Sequence, residues 1–266
     1  MIDAWDAIER ISAVPLPEER ATVRELLGAG LMAELRSVTD EDGLSVDEVE
    51  LAPPVPDPEK IICIGLNYRS HAAEAGLEPP AAPTFFAKFR NALAAPGAAV
   101  SLPRSSTRVD YEAEVAFVVG RRCRAVGEGE ALDCIAGYTL FNDLSARDLQ
   151  FATPQWMPGK VFDGSGPCGP ALVTPEEAGP HDAIELSLTL NGETMQSAST
   201  ADLIFSPPAL VAHLSSLMTL EPGDIVSTGT PAGVGSVREP TVSLAAGDEI
   251  VISSPTLGRL ETRIAG

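Results

Sequence analysis

The stretch VDYEAEVAFVVG, from Val109 to Gly120, shows the strand character of this chain most clearly. Its alternation predicts a β-strand, because successive side chains of a strand point to opposite faces of the sheet. Asp110, Glu112 and Glu114 then share one face, and the opposite face is apolar, with Tyr111, Ala113, Val115 and Phe117. Like charges this close repel one another. The acidic face therefore either lies in water or is neutralised by a cation.

The composition of the 266-residue chain, with 44% apolar residues, is that of a globular protein. No apolar run approaches the roughly 18 residues of a membrane helix, and the N-terminus lacks the basic and apolar regions of a signal peptide. We therefore expect a cytoplasmic protein without a membrane partner. The net charge of −20 also disfavours nucleic acid and anionic membranes, since both require basic patches.

The cysteines and lysines carry weaker signals. No two cysteines have CxxC spacing and several lie in apolar segments, which predicts buried, reduced thiols rather than a zinc site or disulfides. The 18 basic residues include only three lysines, Lys60, Lys88 and Lys160. Where arginine is the usual cation, a lysine can mark a site that needs a compact charge, although chance is the simpler explanation.

The chain divides into a short helical segment, residues 1–52, and a β-rich domain, residues 53–266. The apolar spacing of Val23, Leu26, Leu27 and Leu31 predicts a helix, and the Pro-rich LAPPVPDPEK then predicts an extended linker. From Ile61 onward, apolar strand-like runs alternate with Gly and Pro turns. The fold class is therefore mainly β with some α, of the α+β type.

Three local signals organise the second half of the chain. Asn191 and Gly192 predict a tight hairpin, and the segment Pro255 to Gly258 predicts another chain reversal. FSPPALVAHLSSLM, which begins at Phe205, predicts the clearest helix of this half.

The segment FNDLSARDLQ supplies a partner for the acidic strand. Asp143 closes an apolar strand, and a helix that began just after it would place Asp143, Arg147 and Gln150 on one face. Glu112, Glu114 and Asp143 would then form an all-oxygen cage that suits Mg²⁺ or Mn²⁺, whereas zinc would recruit His or Cys. The two glutamates alone are equally compatible with a solvated strand face.

Another candidate constellation is GLNYRSHAAEAG, which follows an apolar strand. In a helix, His71 and Glu74 lie at i and i+3, so the carboxylate can orient the imidazole as a general base for water. An exposed, inert pair is the alternative. His181 and His213 have no comparable surroundings and are interpreted as loop and helix-surface residues.

Two glycine-rich segments complete the candidates. In PGKVFDGSGPCGP, Lys160 can place an ammonium beside the metal and stabilise a developing enolate. In GDIVSTGTPAGVG, Thr230 can offer its hydroxyl and nearby backbone N–H groups to a substrate carboxylate. Ordinary turn chemistry explains either segment taken alone.

Taken together, five ordered motifs resemble the fumarylacetoacetate hydrolase family, from about Pro53 to the C-terminus. These motifs are GLNYRSHAAE, DYEAEVAFVVG, NDLSARDLQ, GKVFDGSGPCGP and LEPGDIVSTGTPAGVG. The resemblance implies a mixed β-sandwich rolled into a compact, barrel-like core. It also implies Mg²⁺ or Mn²⁺ at Glu112, Glu114 and Asp143.

The same resemblance assigns the remaining roles. His71 and Glu74 match a water-activating dyad on a segment that often acts as a lid, and Lys160 matches the family's lysine. Members are usually homodimers. Substrate carboxylate or keto oxygens are expected at Arg147, Gln150 and Thr230.

The resulting functional hypothesis is a metal-dependent enzyme acting on small-molecule 2-oxo or diketo acids. Hydrolytic C–C cleavage of an acylpyruvate or fumarylpyruvate-type substrate, in aromatic or amino-acid catabolism, is the first expectation. Isomerisation or decarboxylation of homoprotocatechuate-pathway intermediates, and oxaloacetate decarboxylation, are the alternatives. A metal-binding protein without turnover is the alternative outside enzymology. A cupin-type oxygenase is excluded, because three scattered histidines cannot supply its ligand cluster.

Overall fold

The computed structural model describes residues 22–31 and 48–266 of the chain. Helix α1 (Val23–Gly28) lies where the apolar spacing predicts one and begins with a capping box. The Thr22 hydroxyl accepts from the Glu25 N–H, while the Glu25 carboxylate accepts from the Thr22 N–H. Most of the predicted segment 1–52 lies outside the described residues, so the division of the chain at residue 52 stays a prediction.

The larger sheet has seven strands among the described residues. In spatial order they are β2 (Thr84–Lys88), β1 (Ile61–Gly65), β12 (Ile225–Ser227), β6 (Ala113–Val119), β7 (Ile135–Asn142), β9 (Gly166–Val173) and β3 (Leu93–Ala94). Every residue of β6 and β7 is buried. Alternate β6 side chains enter different apolar clusters, Val115 and Phe117 one of them and Ala116 and Val118 the other. Both faces of the sheet are therefore covered.

A smaller sheet packs against the larger one. Its five strands within the described chain are, in spatial order, β11 (Glu193–Ser199), β10 (Glu185–Leu190), β13 (Glu249–Ser254), β14 (Gly258–Ile264) and β4 (Ala99–Val100). Leu188 and Ile252 of this sheet share one core cluster with Val115 and Phe117 of the larger sheet. This mixed, two-sheet architecture confirms the predicted fold class.

The helices are short and lie between strands. They are α2 (Arg69–Glu74), α3 (Glu128–Ala131), α4 (Arg147–Gln150), α5 (Pro175–Ala178) and α6 (Pro207–Leu217). Single 3₁₀ turns lie at Arg90–Ala92, Leu132–Cys134, Met157–Gly159, Thr200–Asp202 and Gly235–Val237. In the described ranges, none of the helices has the length and apolar character needed to cross a membrane.

The local predictions for the second half are confirmed. Asn191 and Gly192, with φ of 51° and 83°, join β10 to β11, and a type I′ turn, which has positive φ at both central residues, matches the twist of the strands that it joins. A reversal after Ser254 joins β13 to β14, and α6 occupies the predicted helix. The four cysteines are buried and free, as predicted: Cys63, Cys123, Cys134 and Cys168.

Two predictions about the acidic segments are wrong. The stretch from Val109 is not one strand, because β5 (Val109–Asp110) ends before β6 begins and pairs instead with β8 (Ser145–Ala146). The helix does not follow Asp143 directly, since β8 intervenes and α4 begins only at Arg147. Asp143 therefore does not share a helical face with Arg147 and Gln150.

Candidate active site

Three buried carboxylates converge where the central strands β6 and β7 of the larger sheet meet, at the start of β6 and the end of β7. Glu112 precedes β6, Glu114 lies within it, and Asp143 follows β7, which pairs antiparallel with β6. The Asp143 N–H donates to the Glu112 carbonyl at 3.0 Å, which brings the two strand ends together. Each of the three residues can present an oxygen within 4.8 Å of the others. This acidic triad can hold a divalent metal.

Cations surround Glu112. Lys160 Nζ lies 2.7 Å from Glu112 Oε2 and 2.9 Å from Asp143 Oδ2, while Arg147 Nη2 lies 2.7 Å from Glu112 Oε1. Burial alone would raise the pKa of the Glu112 carboxyl, but Lys160 and Arg147 outweigh it and lower that pKa to about 2. Glu112 is therefore an anion at neutral pH.

Glu114 has a different environment. Its carboxylate accepts from the Ser227 hydroxyl and from the Gly229 N–H, the latter at 3.0 Å. Burial raises the pKa of Glu114 well above its ordinary value, and the negative charges of Asp143 and Glu112 raise it further. No cation of the described residues forms an ion pair with Glu114, so a divalent metal at the triad would supply the positive charge that this carboxylate lacks.

One oxygen of Asp143 is ion-paired but accepts no hydrogen bond from the described residues. Asp143 Oδ1 lies 2.9 Å from Lys88 Nζ, but this contact does not have hydrogen-bond geometry. No other described residue donates to Oδ1. Lys88 donates instead to the carbonyl and hydroxyl of Ser165, both at 2.9 Å, and to the Lys160 carbonyl. A buried carboxylate oxygen without a donor, in an all-oxygen set, fits Mg²⁺ or Mn²⁺.

Lys88 is a functional candidate to which sequence reasoning assigned no role. Its side chain is fully buried and contacts both Asp143 and the Lys160 backbone. The scarcity of lysine was the signal that could have identified it, since both buried lysines of the described chain, Lys88 and Lys160, meet at Asp143.

Asp110, the remaining acid of the stretch from Val109 to Gly120, pairs with Arg147. Arg147 Nε and Nη2 lie 2.9 and 2.8 Å from Asp110 Oδ2, and Asp110 also accepts from the N–H groups of Gly235 and Ser236. Burial opposes the charge of Arg147, but Glu112 and Asp110 raise the pKa of its guanidinium above the ordinary value. The acidic face is thus buried, not solvated: Asp110 and Glu112 pair with cations, whereas Glu114 forms no ion pair among the described residues.

Helix α2 brings His71 to the same site. His71 Nδ1 lies 3.5 Å from Glu74 Oε2, and both oxygens of Glu74 accept from the Gly233 N–H at 3.0 Å. Arg69 further ties the helix to the carbonyls of Asp202 and Leu203. Glu74 therefore links the imidazole to the glycine-rich loop that also carries Thr230.

The substrate-binding candidates are partly committed to protein contacts. The Arg147 guanidinium donates to Gln150 Oε1 at 3.0 Å. The Thr230 hydroxyl donates to the Ala113 carbonyl at 3.0 Å and accepts from Gln196 Nε2 at 2.9 Å. In this arrangement the Thr230 hydroxyl hydrogen is not available to a substrate. Gln196, buried and not identified from the sequence, holds this loop.

A cavity of about 300 Å³ unites these side chains. Among the predicted site residues, Glu74 does not line it but contacts His71. Apolar walls include Ile64, Phe86, Trp156 and Val234, and Arg108 also lines the cavity. The predicted residues that do line it are His71, Glu112, Glu114, Asp143, Arg147, Gln150, Lys160 and Thr230.

Known proteins resemble this chain in sequence and fold. The family model described as "Fumarylacetoacetate (FAA) hydrolase C-terminal" matches residues 60–265. An oxaloacetate tautomerase of Xenopus laevis, mitochondrial by its name, is 37% identical over 254 residues, which cover 93% of this chain and 80% of the relative. Since this relative is mitochondrial, a cytoplasmic location for the present chain stays a prediction.

Solved structures of similar proteins have the same fold as this chain. A putative HpcE protein from Mycobacterium smegmatis has a TM-score of 0.89 at 35% identity, covering 99% of this chain and 92% of its own. The fumarylpyruvate hydrolase of Pseudomonas aeruginosa, solved with Mn²⁺ and pyruvate, has a TM-score of 0.73 at 30% identity, covering 82% and 95%. With a family model that spans most of its length, and with relatives alike in sequence and fold, the chain belongs to the fumarylacetoacetate hydrolase family.

Proposed function

We propose that the chain is a divalent-metal-dependent hydrolase that cleaves a C–C bond of an acylpyruvate or fumarylpyruvate-type diketo acid. One observation carries this proposal: His71, in contact with Glu74, lines the same cavity as the acidic triad and Lys160. His71, as a base for water, and Lys160, as a cation for the departing enolate, therefore line the same candidate substrate cavity. The HpcE-like and hydrolase structural neighbours support an enzyme of this general class.

Glu112, Glu114 and Asp143 would hold the metal. When bound, it would supply Lewis-acid polarisation of the substrate's 2-oxo acid oxygens. Mg²⁺ and Mn²⁺ both suit three carboxylates, and the Mn²⁺ and pyruvate of the Pseudomonas aeruginosa hydrolase support a divalent ion together with a 2-oxo acid.

The protein's own groups would move the protons. With Nδ1 of His71 facing Glu74, Nε2 is the ring atom available to take a proton from water. The hydroxide so formed adds to the acyl carbonyl carbon. The bond from this carbon to the neighbouring methylene carbon then breaks, so that the acyl part leaves as a carboxylic acid and the electron pair stays with the methylene carbon as the enolate of the 2-oxo acid. Lys160 would stabilise the negative charge on the enolate oxygen of that fragment. The proton that His71 took from water is then given to the enolate carbon, which completes the 2-oxo acid product and restores the base.

Oxaloacetate tautomerisation is the second candidate, and the Xenopus laevis relative favours it. The reaction only moves a proton between carbon and the enol oxygen, so it needs a base and Lys160 but no attacking water. Isomerisation or decarboxylation of a dicarboxylic substrate would use the same groups. A metal-binding protein without turnover is the alternative outside enzymology.

The deciding experiment follows the enol ultraviolet absorbance of acetylpyruvate with Mg²⁺ or Mn²⁺ and again after chelation. Metal-dependent loss with one pyruvate released per substrate supports the hydrolase. Faster enol-to-keto conversion of oxaloacetate, with acetylpyruvate left intact, supports the tautomerase instead. If metal binds and neither substrate changes, the proposal of an enzyme acting on these acids fails.

We also propose a homodimer, on the family resemblance alone. Light scattering coupled to size-exclusion chromatography tests it against the mass of one 27.8 kDa chain.

A further inference from the structure

Arg108 stands out among the cations of the cavity, because its guanidinium is uncommitted. The residue is exposed and lines the cavity, and no carboxylate of the described residues forms an ion pair with it. Arg147 and Lys160, by contrast, are buried and held by two carboxylates each. Arg108 is therefore the arginine whose donors remain available to a ligand.

The backbone at Arg108 is held in place although the side chain is free. Its N–H donates to the Ser106 hydroxyl at 3.2 Å, and its carbonyl accepts from the Arg147 N–H at 2.9 Å. The Asp148 carboxylate in turn accepts from the Ser106 hydroxyl and from the Thr107 N–H. The base of the side chain thus has a defined position beside the strand that carries Asp110.

The cavity changes character from its floor to its rim. The floor holds the buried acidic triad, and the walls are apolar. At the rim, Leu77, Phe151 and Val237 are 55%, 67% and 39% exposed, so the outer lining is also apolar apart from Arg108 and Ser236. In a protein of net charge −20, an unpaired cation at the mouth of the cavity offers an anion a local attraction.

We infer that Arg108 binds a second, remote carboxylate of the substrate, and that the preferred substrates are dicarboxylic 2-oxo acids. The inference rests on the proposed function, because it assumes that the 2-oxo acid end of the substrate lies at the acidic triad. A planar guanidinium matches a carboxylate in a bidentate pair. The apolar walls would contact the carbon chain between the two ends.

Matched ligand pairs test this inference without turnover. Calorimetry on the Mn²⁺-loaded protein compares 2-oxopentanedioate with 2-oxopentanoate, and 2-oxoheptanedioate with 2-oxoheptanoate. Within a pair, the ligands share the 2-oxo acid end and differ at the far carboxylate. We expect the dicarboxylate of at least one pair to bind about 10-fold tighter or more, the range of a charge-assisted hydrogen bond.

Variants then locate the effect. Arg108→Gln should abolish the preference for the dicarboxylate and leave the affinity for the monocarboxylate unchanged, while Arg108→Lys should retain part of the preference. Arg104→Gln removes the same charge from an exposed arginine that does not line the cavity, and it should change neither affinity.

The failures can be told apart. Equal affinities within both pairs, or a preference that survives in Arg108→Gln, would overturn the role of Arg108 and leave the 2-oxo acid site standing. If no ligand of either pair binds while Mn²⁺ itself does, the proposed function fails, and the inference fails with it.

Discussion

The ammonium of Lys88 lies 2.9 Å from Asp143 Oδ1, and both side chains are buried. The same ammonium donates to Ser165 and to the Lys160 carbonyl, so it connects a candidate metal ligand to the segment that carries the candidate catalytic lysine. Lys88 therefore helps to position both Asp143 and Lys160.

Replacing Lys88 should cost much stability. Lys88→Met removes the buried ammonium beside Asp143 Oδ1, leaving only Lys160 at Oδ2, and removes a buried donor to Ser165, so we expect the free energy of unfolding to fall by about 3–5 kcal/mol. Denaturant unfolding of the metal-free protein measures it. Arg259→Met is the control: Arg259 Nε lies 2.9 Å from Glu261 Oε1, and both side chains are exposed, so the loss should be at most about 1 kcal/mol. Similar losses for both variants would contradict this role of Lys88.

Metal binding should depend on each carboxylate of the triad. Glu114→Gln and Asp143→Asn each remove a charged ligand. Replacing a residue that only supports a metal ligand typically lowers metal affinity by about 10–100-fold, so we expect these variants, after chelator treatment, to lose more Mn²⁺ affinity than that. Titration followed by electron paramagnetic resonance gives the affinity. Asp148→Asn alters a carboxylate that binds Ser106 and Thr107 and does not line the cavity, so it should bind Mn²⁺ normally. Unchanged affinity in the triad variants would exclude this metal site.

Hydrolysis should depend on His71. His71→Asn removes the proposed base for water, and we expect kcat on acetylpyruvate to fall by about 10²–10⁴-fold with Mn²⁺ affinity unchanged. His213→Asn is the matched control, because His213 lies on α6 against Phe85 and does not line the cavity. Full hydrolytic activity in His71→Asn would remove the dyad from the mechanism.

Gly159 should be intolerant of a side chain. A Cβ at this position would overlap the Ala146 carbonyl and the backbone of Gln150, so Gly159→Ala must displace the turn that carries Lys160. We expect a lower Tm and a lower kcat/KM. Gly129→Ala has open space around it in α3 and should be neutral or stabilise the protein by up to about 1 kcal/mol. Equal behaviour of the two variants would show that the turn tolerates the shift.

Local patterns were sufficient wherever short-range physics decides the structure. Asn191 and Gly192 specify their hairpin because few residues adopt positive φ without strain, and α6 follows from helical apolar spacing with Pro207 in its first turn. The identities of the candidate site residues also came from ordered motifs, since metal ligands and proton-transfer groups require particular side-chain chemistry.

Tertiary contacts decided what the acidic stretch does. Alternation alone could not show that β5 is separate from β6 and pairs with β8, or that both faces of β6 are buried. It also could not show that Asp110 pairs with Arg147, 37 residues further along the chain. Nor could it show that Lys88 meets Asp143, because no sequence spacing encodes contacts between segments so far apart. Burial removes the water that would otherwise screen these charges, so their pairing and the pKa values of Glu112 and Glu114 exist only in the folded chain.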